Sequence, residues 1–406
     1  MMISEPLSQY EEILKDAIRT SMKESGAKLA KTFQTLLIEI LTLYMILPRK
    51  INFTQMARYG KHGEQTYRQN FNRKKKDCID WLLLNLSLAR RVLDMDGLLA
   101  IAIDPCYISK AGKKTPHIGR FWSGCAGAVK HGLEIMGVGL LDVANNKCMM
   151  LRAHQTIGNS ALKMRNKTLV EYYISVMKRY SKKLLSITDI VVADAFFSTS
   201  TFEKGMSELG FYLVSRFRDN ACLHYIPKRE KGRGRPRVKG DKIDLANLNL
   251  SCMEELHIDG LDGKAYTLEA YAKALKKRVR LVIWRMPGGK CKLFFSTKLS
   301  MTGEEVLKTY RTRFQIEFCY RDSKQFTGLM DCQARHKSQL DFAFNASFAS
   351  LNAAKVFMKD NGMDNSMAKV KSLMFNANYT KLIFDMSRCR PSRTLISKIV
   401  KELIGW

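Results

Sequence analysis

Two short apolar runs, each closed by an aspartate, most constrain the fold of this 406-residue chain. Residues 98–104 read LLAIAID, and residues 187–194 read ITDIVVAD. Short continuous apolar runs of this length predict buried strands. Pro105 follows the first aspartate, and proline lacks the N–H that a central strand needs, so this strand is expected to stop at the acid. Asp104 and Asp194 are therefore expected at strand ends, where ligand sites of mixed sheets gather.

The surrounding segments predict a mixed α/β fold. Residues 133–157 indicate two strands joined by the turn Ala144-Asn145-Asn146-Lys147, which is a hairpin signature. Residues 162–183 indicate one helix, residues 199–209 a second, and residues 211–218 a further strand. The order strand, hairpin, helix, strand and helix predicts a mixed sheet flanked by helices.

The chain divides by composition into five parts. Residues 216–296 include the strand-like runs VRLVIWRM and KCKLFFSTKL, on either side of a tight turn at residues 287–289. This part is predicted to be a β-rich insertion with a charged, glycine-rich loop at residues 228–240. The predicted parts are a helical DNA-binding region (1–96), a first core part (97–215), the β-rich insertion (216–296), a second core part (297–345) and a C-terminal helical region (346–406).

The N-terminal segment NFTQMARYGKHGEQTYRQNF resembles a helix-turn-helix. Thr54 is predicted to cap a short helix, residues 60–63 to turn, and Glu64 to begin a second helix. The basic cluster at residues 73–76 follows and suits contact with phosphates. An ordinary helical hairpin explains the same pattern, and the adjacent charge favours DNA binding.

The charge balance indicates a polyanionic partner. The chain has 68 Lys and Arg against 38 Asp and Glu, a formal net charge of +30. Nucleic acid is therefore the leading partner. A membrane surface is the alternative, but the apolar run at residues 33–48 is short and contains Glu39, which favours a core helix. The N-terminus lacks the order of a signal peptide, and ten scattered cysteines without CxxC spacing suggest reduced thiols in a cytoplasmic protein.

Four residues in YRTRFQIEFCYRDSK form a polar stripe: Tyr310, Arg313, Glu317 and Lys324. The stretch has no Pro or Gly and is predicted to be one helix, on which these residues lie within an arc of roughly 60°. Taken alone, the stripe is better explained as a solvated face with charge pairs, and each strand-end aspartate as a turn former.

Taken together, Glu317 and the two strand-end aspartates form an all-oxygen ligand set. Such a set suits Mg²⁺ or Mn²⁺, and a pair of ions can promote in-line phosphoryl transfer.

Asp104, Asp194 and Glu317 resemble the DDE triad of bacterial insertion-sequence transposases, which have an RNase H-like fold. The resemblance covers roughly residues 98–345. It implies that the three carboxylates are catalytic and hold two metal ions. It also implies an enzyme that cuts the inverted-repeat ends of its own mobile element through a hairpin and joins them to target DNA. Family logic adds a homodimer assembled on two DNA ends, associated with the bacterial nucleoid.

The spacing Tyr310-x2-Arg313-x3-Glu317-x6-Lys324 is similar to the YREK signature of the cut-and-paste branch that includes Tn-five and Tn-ten type enzymes. The resemblance implies that Tyr310, Arg313 and Lys324 grip DNA near the scissile phosphate. Phe314 occupies the place of an aromatic that helps to hold a flipped base. A second aromatic of that branch does not map cleanly, and Trp284 or Phe294 is the expected substitute.

The loop sequence GRGRPR contains Arg233-Gly234-Arg235-Pro236, which resembles an AT-hook core. Arg233 and Arg235 are therefore candidate minor-groove contacts, and a basic loop that touches phosphates is the simpler alternative.

For the whole chain, the sequence leaves two other functions open. One is another RNase H-like nuclease such as a junction resolvase, and the other is a domesticated protein that binds element ends without cutting.

Overall fold

The computed structural model describes residues 5–73, 78–227, 237–363, 366–387, 392–399 and 402. The helices that precede the first strand are α1 (Glu5–Ser25), α2 (Lys31–Ile46), α3 (Phe53–Tyr59), α4 (Glu64–Asn70) and α5 (Trp81–Val92). The apolar run in α2 is buried in the protein core, as predicted. No helix in the described ranges is both long and apolar enough to cross a bilayer.

The centre of the fold is a mixed sheet. Its first strands are β1 (Leu99–Ser109), β2 (Gly119–Ser123), β3 (Ala128–Asp142), β4 (Lys147–Gln155), β5 (Ile190–Val192) and β6 (Tyr212–Arg216). β3 pairs antiparallel with both β1 and β4, whereas β5 is parallel to β1 and β6. The β3–β4 hairpin is confirmed, and Asn146 takes the positive φ of 51° in its turn. The architecture is mixed α/β and is consistent with an RNase H-like core.

Strand β1 does not stop at Asp104, as the sequence predicted, but continues to Ser109. The reason lies in its neighbours. β5 pairs only with Ile101 and Ala102, so this edge of β1 is free from Ile103 onward. Pro105 lies in the region where β1 pairs with β3 alone. A proline is tolerated in a strand that has an open edge, because no partner there needs its N–H.

The strands that follow β6 extend the same sheet. They are β7 (Leu223–Tyr225), β8 (Glu254–Leu256), β9 (Lys264–Ala272), β10 (Lys277–Arg285) and β11 (Cys291–Ser296). β11 pairs antiparallel with β6, and β10 and β9 follow outward. The predicted turn between β10 and β11 is present, with Gly288 and Gly289 at φ of 88° and 83°. The β-rich segment is therefore joined to the core by backbone hydrogen bonds.

The remaining helices cover this sheet and close the chain. They are α6 (Asn159–Met164), α7 (Leu169–Leu185), α8 (Ser200–Glu208), α9 (Gly303–Thr312), α10 (Gln315–Phe326), α11 (Lys337–Asp360), α12 (Met367–Ser387) and α13 (Arg393–Ile399). The single helix predicted over residues 162–183 is wrong. α6 ends at Met164, Asn166 has a φ of 49°, and Thr168 starts α7 with a reciprocal capping box to Glu171.

Helix α11 closes the outer edge of β4 with two asparagines. Asn352 accepts a hydrogen bond from the N–H of Met150 at 3.2 Å and donates to its carbonyl at 2.7 Å. Asn345 makes the same pair of contacts to Ala153, at 2.9 and 3.2 Å. A buried sheet edge leaves unpaired backbone groups that must find partners. The two amides take the place of a neighbouring strand.

Helices α3 and α4 are the two short helices predicted on either side of the turn, as in a helix-turn-helix or a helical hairpin, and they are docked on the core. The cap of α3 is Asn52, not Thr54, because the Asn52 side chain accepts from the N–H of Gln55. The Phe71 ring lies 4.3 Å from the Phe342 ring of α11, measured between centroids. Lys74, Lys75 and Lys76 of the predicted basic cluster lie outside the described residues, as do Arg233 and Arg235.

The apolar core is continuous between the N-terminal helices and the sheet. α11 also runs unbroken across residue 345, where the second core part was predicted to end. The division of the chain into five parts stays a prediction.

Candidate active site

Asp104 and Asp194 lie side by side just beyond the point where the parallel pairing of β1 and β5 ends. The register pairs Ala102 of β1 with Val192 of β5, and each aspartate comes two residues after its paired residue. Neighbouring strands are spaced about 4.8 Å apart, so the two carboxylates leave the sheet at the same level. The sequence predicted that both acids follow strands, and the pairing register brings them together.

Asp194 also has a local structural role. Its Oδ1 accepts a hydrogen bond from the N–H of Phe196 at 3.0 Å and caps the short turn at residues 195–197. The carbonyl of Asp194 accepts from the Ser215 hydroxyl at 2.9 Å. These contacts anchor the backbone of the residue. Because a carboxylate has two oxygens and several lone pairs, the cap does not prevent Asp194 from also binding a ligand.

The polar stripe does not lie on one continuous helix, as predicted, but spans a kink between α9 and α10. Arg313 and Phe314 have helical dihedral angles. Around them, however, backbone N–H groups bond to the carbonyl three residues earlier instead of the carbonyl four residues earlier. The N–H of Phe314 bonds to the carbonyl of Arg311, and the N–H of Glu317 to that of Phe314. Short 3₁₀ turns of this kind often mark functional sites inside helices. Here the kink places Arg313 and Glu317 beside Asp104.

Arg313 bridges two of the three candidate carboxylates. Its Nη1 lies 3.5 Å from Oδ1 of Asp104, and its Nη2 lies 3.1 Å from Oε1 of Glu317. The side chains of Arg313 and Asp104 are only 12% and 18% exposed, whereas that of Glu317 is 40% exposed. The acids on β1 and α10 are therefore joined by one guanidinium, with Glu317 facing outward.

The environment of Asp104 opposes its ionisation. The pKa of Asp104 is raised to about 7, mainly by burial, with Arg313 lowering it and the nearby Asp194 and Glu317 adding to the rise. For Arg313, burial disfavours the charge, but the charges of Asp104 and its neighbours outweigh this and raise its pKa. Crowded carboxylates in a partly buried site are typical of centres that take up a cation.

Tyr310 and Lys324 extend the site at its two ends. Tyr310 packs on the Phe294 ring at 5.0 Å between centroids, and the Arg313 guanidinium carbon lies 5.7 Å from the Tyr310 ring centre. Lys324 lies against the thiol of Cys106. Burial raises the pKa of the Cys106 thiol to about 11, and the Lys324 ammonium lowers it in part. All four residues of the predicted stripe are therefore partly buried along the ends of β1 and β5, not on a fully solvated face.

The aromatics of the site divide into buried and exposed ones. Phe294 is buried beneath Tyr310, and the Trp284 ring is covered by the Lys292 ammonium at 4.8 Å. Phe294 therefore presents no exposed ring face to replace the unmapped aromatic, whereas Trp284 is half-buried. Phe314, in contrast, is 49% exposed.

Sequence reasoning missed two exposed aromatics near the carboxylates. Phe318 is 37% exposed and meets Phe314 edge to face at 5.3 Å between centroids. Its spacing of four from Phe314 was the available signal. Phe196, whose N–H donates to the side chain of Asp194, is also exposed.

The sequence also gave no signal for the contact that seats α10 on β1. The hydroxyl of Tyr320 donates to the carbonyl of Asp104 at 2.6 Å. On the adjacent strand β3, Gly137 faces the same ring, and a Cβ at this position would lie 2.8 Å from Tyr320 Cζ. Because real Cβ atoms do not approach so closely, glycine makes room for the tyrosine. Tyr320 thus holds the backbone of Asp104 next to the helix that carries Glu317.

The ligand chemistry fits a divalent metal, although the ligands are not gathered around one point. Within the described ranges, no group of three or more His, Cys, Asp or Glu side chains is placed to hold a metal ion. The Arg313 guanidinium lies between the carboxylates instead, and its buried Nε has no hydrogen-bond partner there. Oxygen-only donors suit Mg²⁺ and Mn²⁺, and a cation would offset the repulsion that raises the pKa of Asp104.

The comparison with protein-family models identifies the family. Residues 27–276 match the model described as DDE superfamily endonuclease. The match spans well over half of the chain, so the protein belongs to the DDE superfamily of endonucleases. The matched range includes Asp104 and Asp194 and ends before α9 and α10. A search of curated proteins finds no match. Membership supports a nuclease or transposase that acts on DNA.

Proposed function

We propose that the protein is a DNA transposase of the YREK-signature, cut-and-paste type. It would bind the inverted-repeat ends of its own mobile element, cut them and join them to target DNA. One observation carries the proposal: Asp104 and Asp194 each come two residues after the last paired residues of neighbouring parallel strands, and Arg313 joins Asp104 to Glu317 of the polar stripe. The helix-turn-helix shape of α3 and α4 and the net charge of +30 support DNA as the partner.

Asp104, Asp194 and Glu317 are proposed as the ligands of two Mg²⁺ or Mn²⁺ ions. Bound ions of this kind activate a water or 3′-hydroxyl and stabilise the leaving oxygen of a phosphodiester. To ligate a cation, Asp104 must be ionised, and Arg313 is the group that favours its charged form in this conformation. Since the same guanidinium contacts Glu317, Arg313 can hold the two acids close until a cation replaces it.

The other stripe residues are proposed to hold the DNA. Tyr310, Arg313 and Lys324 would contact phosphates next to the cut, with the guanidinium and ammonium pairing with phosphate oxygens. Phe314, with Phe318 beside it, would support an unstacked base. Arg233 and Arg235 are proposed as further DNA contacts, on the strength of the sequence alone. A homodimer on two DNA ends and action at the bacterial nucleoid complete the proposal.

Two other functions remain as alternatives. A different RNase H-like nuclease needs the carboxylates but not Tyr310, Arg313 and Lys324 around them. A domesticated protein that binds element ends without cutting needs neither the carboxylate pair nor the stripe. The presence of both features on one surface favours the transposase.

The decisive assay uses a plasmid that carries this gene with its native flanking DNA. We expect the purified protein and Mg²⁺ to release a segment bounded by short inverted repeats, and EDTA to prevent release. A denaturing gel would show whether the released ends are closed hairpins. Binding of the flanks without any cutting would instead identify a domesticated binding protein, and cutting without regard to the repeats would identify another nuclease.

A further inference from the structure

A strongly basic cleft lies at the far end of strand β1. We call it the lysine cleft; it has a volume of about 680 Å³, and its lining includes Lys50, Ser109, Lys110, Lys113, Lys114 and Arg335. Asp331 is the acid in its lining, and its Oδ2 already accepts the N–H of Ile51 at 2.9 Å. The cleft therefore carries a large excess of positive charge.

Most of this charge is available to a ligand. Lys50, Lys113 and Lys114 are exposed, and within the described part of the chain none of them forms an ion pair. Lys110 is half-buried, donates to the carbonyl of Cys332, and has its pKa lowered by burial and by the nearby Arg335. Exposed cations that outnumber the acid among them and form no ion pair are arranged for an external anion rather than for the stability of the fold.

Strand β1 connects the lysine cleft to the candidate active site. The strand carries Asp104 and ends at Ser109 in the cleft lining. Five residues of strand span about 17 Å. Lys324 lies between these two points, against Cys106. Lys324 therefore adds one cation between the carboxylates and the cleft.

The lysine cleft also adjoins a second cleft beside helices α3 and α4. A second cleft of about 790 Å³ lies between helices α3 and α4 and the start of α11, and it shares Cys332, Gln333 and Arg335 with the lysine cleft. The helix pair is held in place there, because the Gln339 side chain donates to the carbonyl of Arg68 at 3.1 Å. The two clefts are therefore adjacent and share one wall.

We propose that the lysine cleft binds the sugar–phosphate backbone of duplex DNA held beside helices α3 and α4. This inference rests on the proposed function and adds the residues that bind the DNA backbone. Cations spread along a groove suit a repeating phosphate backbone better than a single small anion.

The test compares two charge-matched double variants. Lys113→Ala with Lys114→Ala removes two cleft cations, whereas Lys178→Ala with Lys182→Ala removes two exposed cations of α7 that line neither cleft. Binding of an element-end duplex is measured by fluorescence anisotropy in EDTA over a range of salt concentrations. We expect the cleft variant to bind roughly tenfold more weakly, with a log K against log salt slope shallower by about 2.

Equal slopes for the cleft variant and the α7 control would overturn the lysine cleft as a DNA site. That result would leave the proposed function intact if the wild-type protein still releases its element. Failure of the wild-type protein to cut would count against the proposed function and would not depend on the cleft. The two failures are therefore distinguishable.

Discussion

Replacing Asp104 by Asn is expected to abolish DNA cutting while leaving DNA binding within about threefold of wild type. Asn keeps the shape of Asp104 but supplies no negative charge to a metal ion. Losing about 4 kcal/mol of transition-state stabilisation slows a reaction on the order of 10³-fold. The rate of element release and the affinity for an element-end duplex are measured side by side. The matched control is Asp96→Asn, an exposed acid in the loop before β1.

The fold is expected to tolerate the Asp104→Asn change. Burial raises the pKa of Asp104 to about 7, so the surroundings already favour a neutral side chain. An unchanged or higher melting temperature in EDTA would therefore accompany the loss of cutting. Cutting that stays within tenfold of wild type would remove Asp104 from the catalytic residues. Loss of binding together with cutting would give it a structural role instead.

Replacing Asn352 by Leu is expected to lower the free energy of unfolding by about 3 kcal/mol or more, because each buried polar group left unpaired costs about 1–3 kcal/mol. Leucine is close to asparagine in size but pairs with no backbone group. The change leaves the N–H and carbonyl of Met150 without their partner, together with the side-chain oxygen of Asn85, which accepts from Asn352 at 2.8 Å. The midpoint of urea unfolding, followed by circular dichroism, measures the loss.

The control for this change is Asn220→Leu at an exposed position, where substitutions usually alter stability by less than about 0.5 kcal/mol. If the two variants unfold at the same urea concentration, the Asn352 amide does not seal the edge of β4. A large loss confined to Asn352→Leu supports the view that α11 takes the place of a missing strand.

The local patterns of the sequence were sufficient to predict most of the core elements. Apolar runs predicted the positions of β1 and β5, and the turn residues predicted the β3–β4 hairpin. The end of β1 was not predictable from Pro105, because the effect of a proline depends on which strand edge is free. The length of pairing with β5 decides that, and it is a tertiary property.

The break at residues 165–168 was missed for a different reason. The stretch is amphipathic throughout, but Thr168 and Glu171 form a capping box that starts a new helix. The same Thr-x-x-Glu pattern could have been read from the sequence. The kink at Arg313 had no comparable signal, because the stretch contains neither Gly nor Pro.

The candidate site was likewise predictable only in part. The residue types and the spacing of Arg313 and Glu317 were visible, but the guanidinium position between Asp104 and Glu317 follows from how α10 packs on β1. The Tyr320–Gly137 contact that sets this packing joins residues 183 positions apart in the chain (320 − 137), and no local pattern marks it. The catalytic roles of the stripe residues stay predictions.

The most direct test of the central claim is the anomalous difference map of a crystal grown with Mn²⁺. We expect peaks within about 2.0–2.6 Å of the carboxylate oxygens of Asp104, Asp194 and Glu317. We also expect the Arg313 guanidinium to have moved away from Asp104, because a bound cation takes over its role. Saturating Mn²⁺ without a peak at these carboxylates, in protein that still cuts DNA, would contradict the proposed metal site.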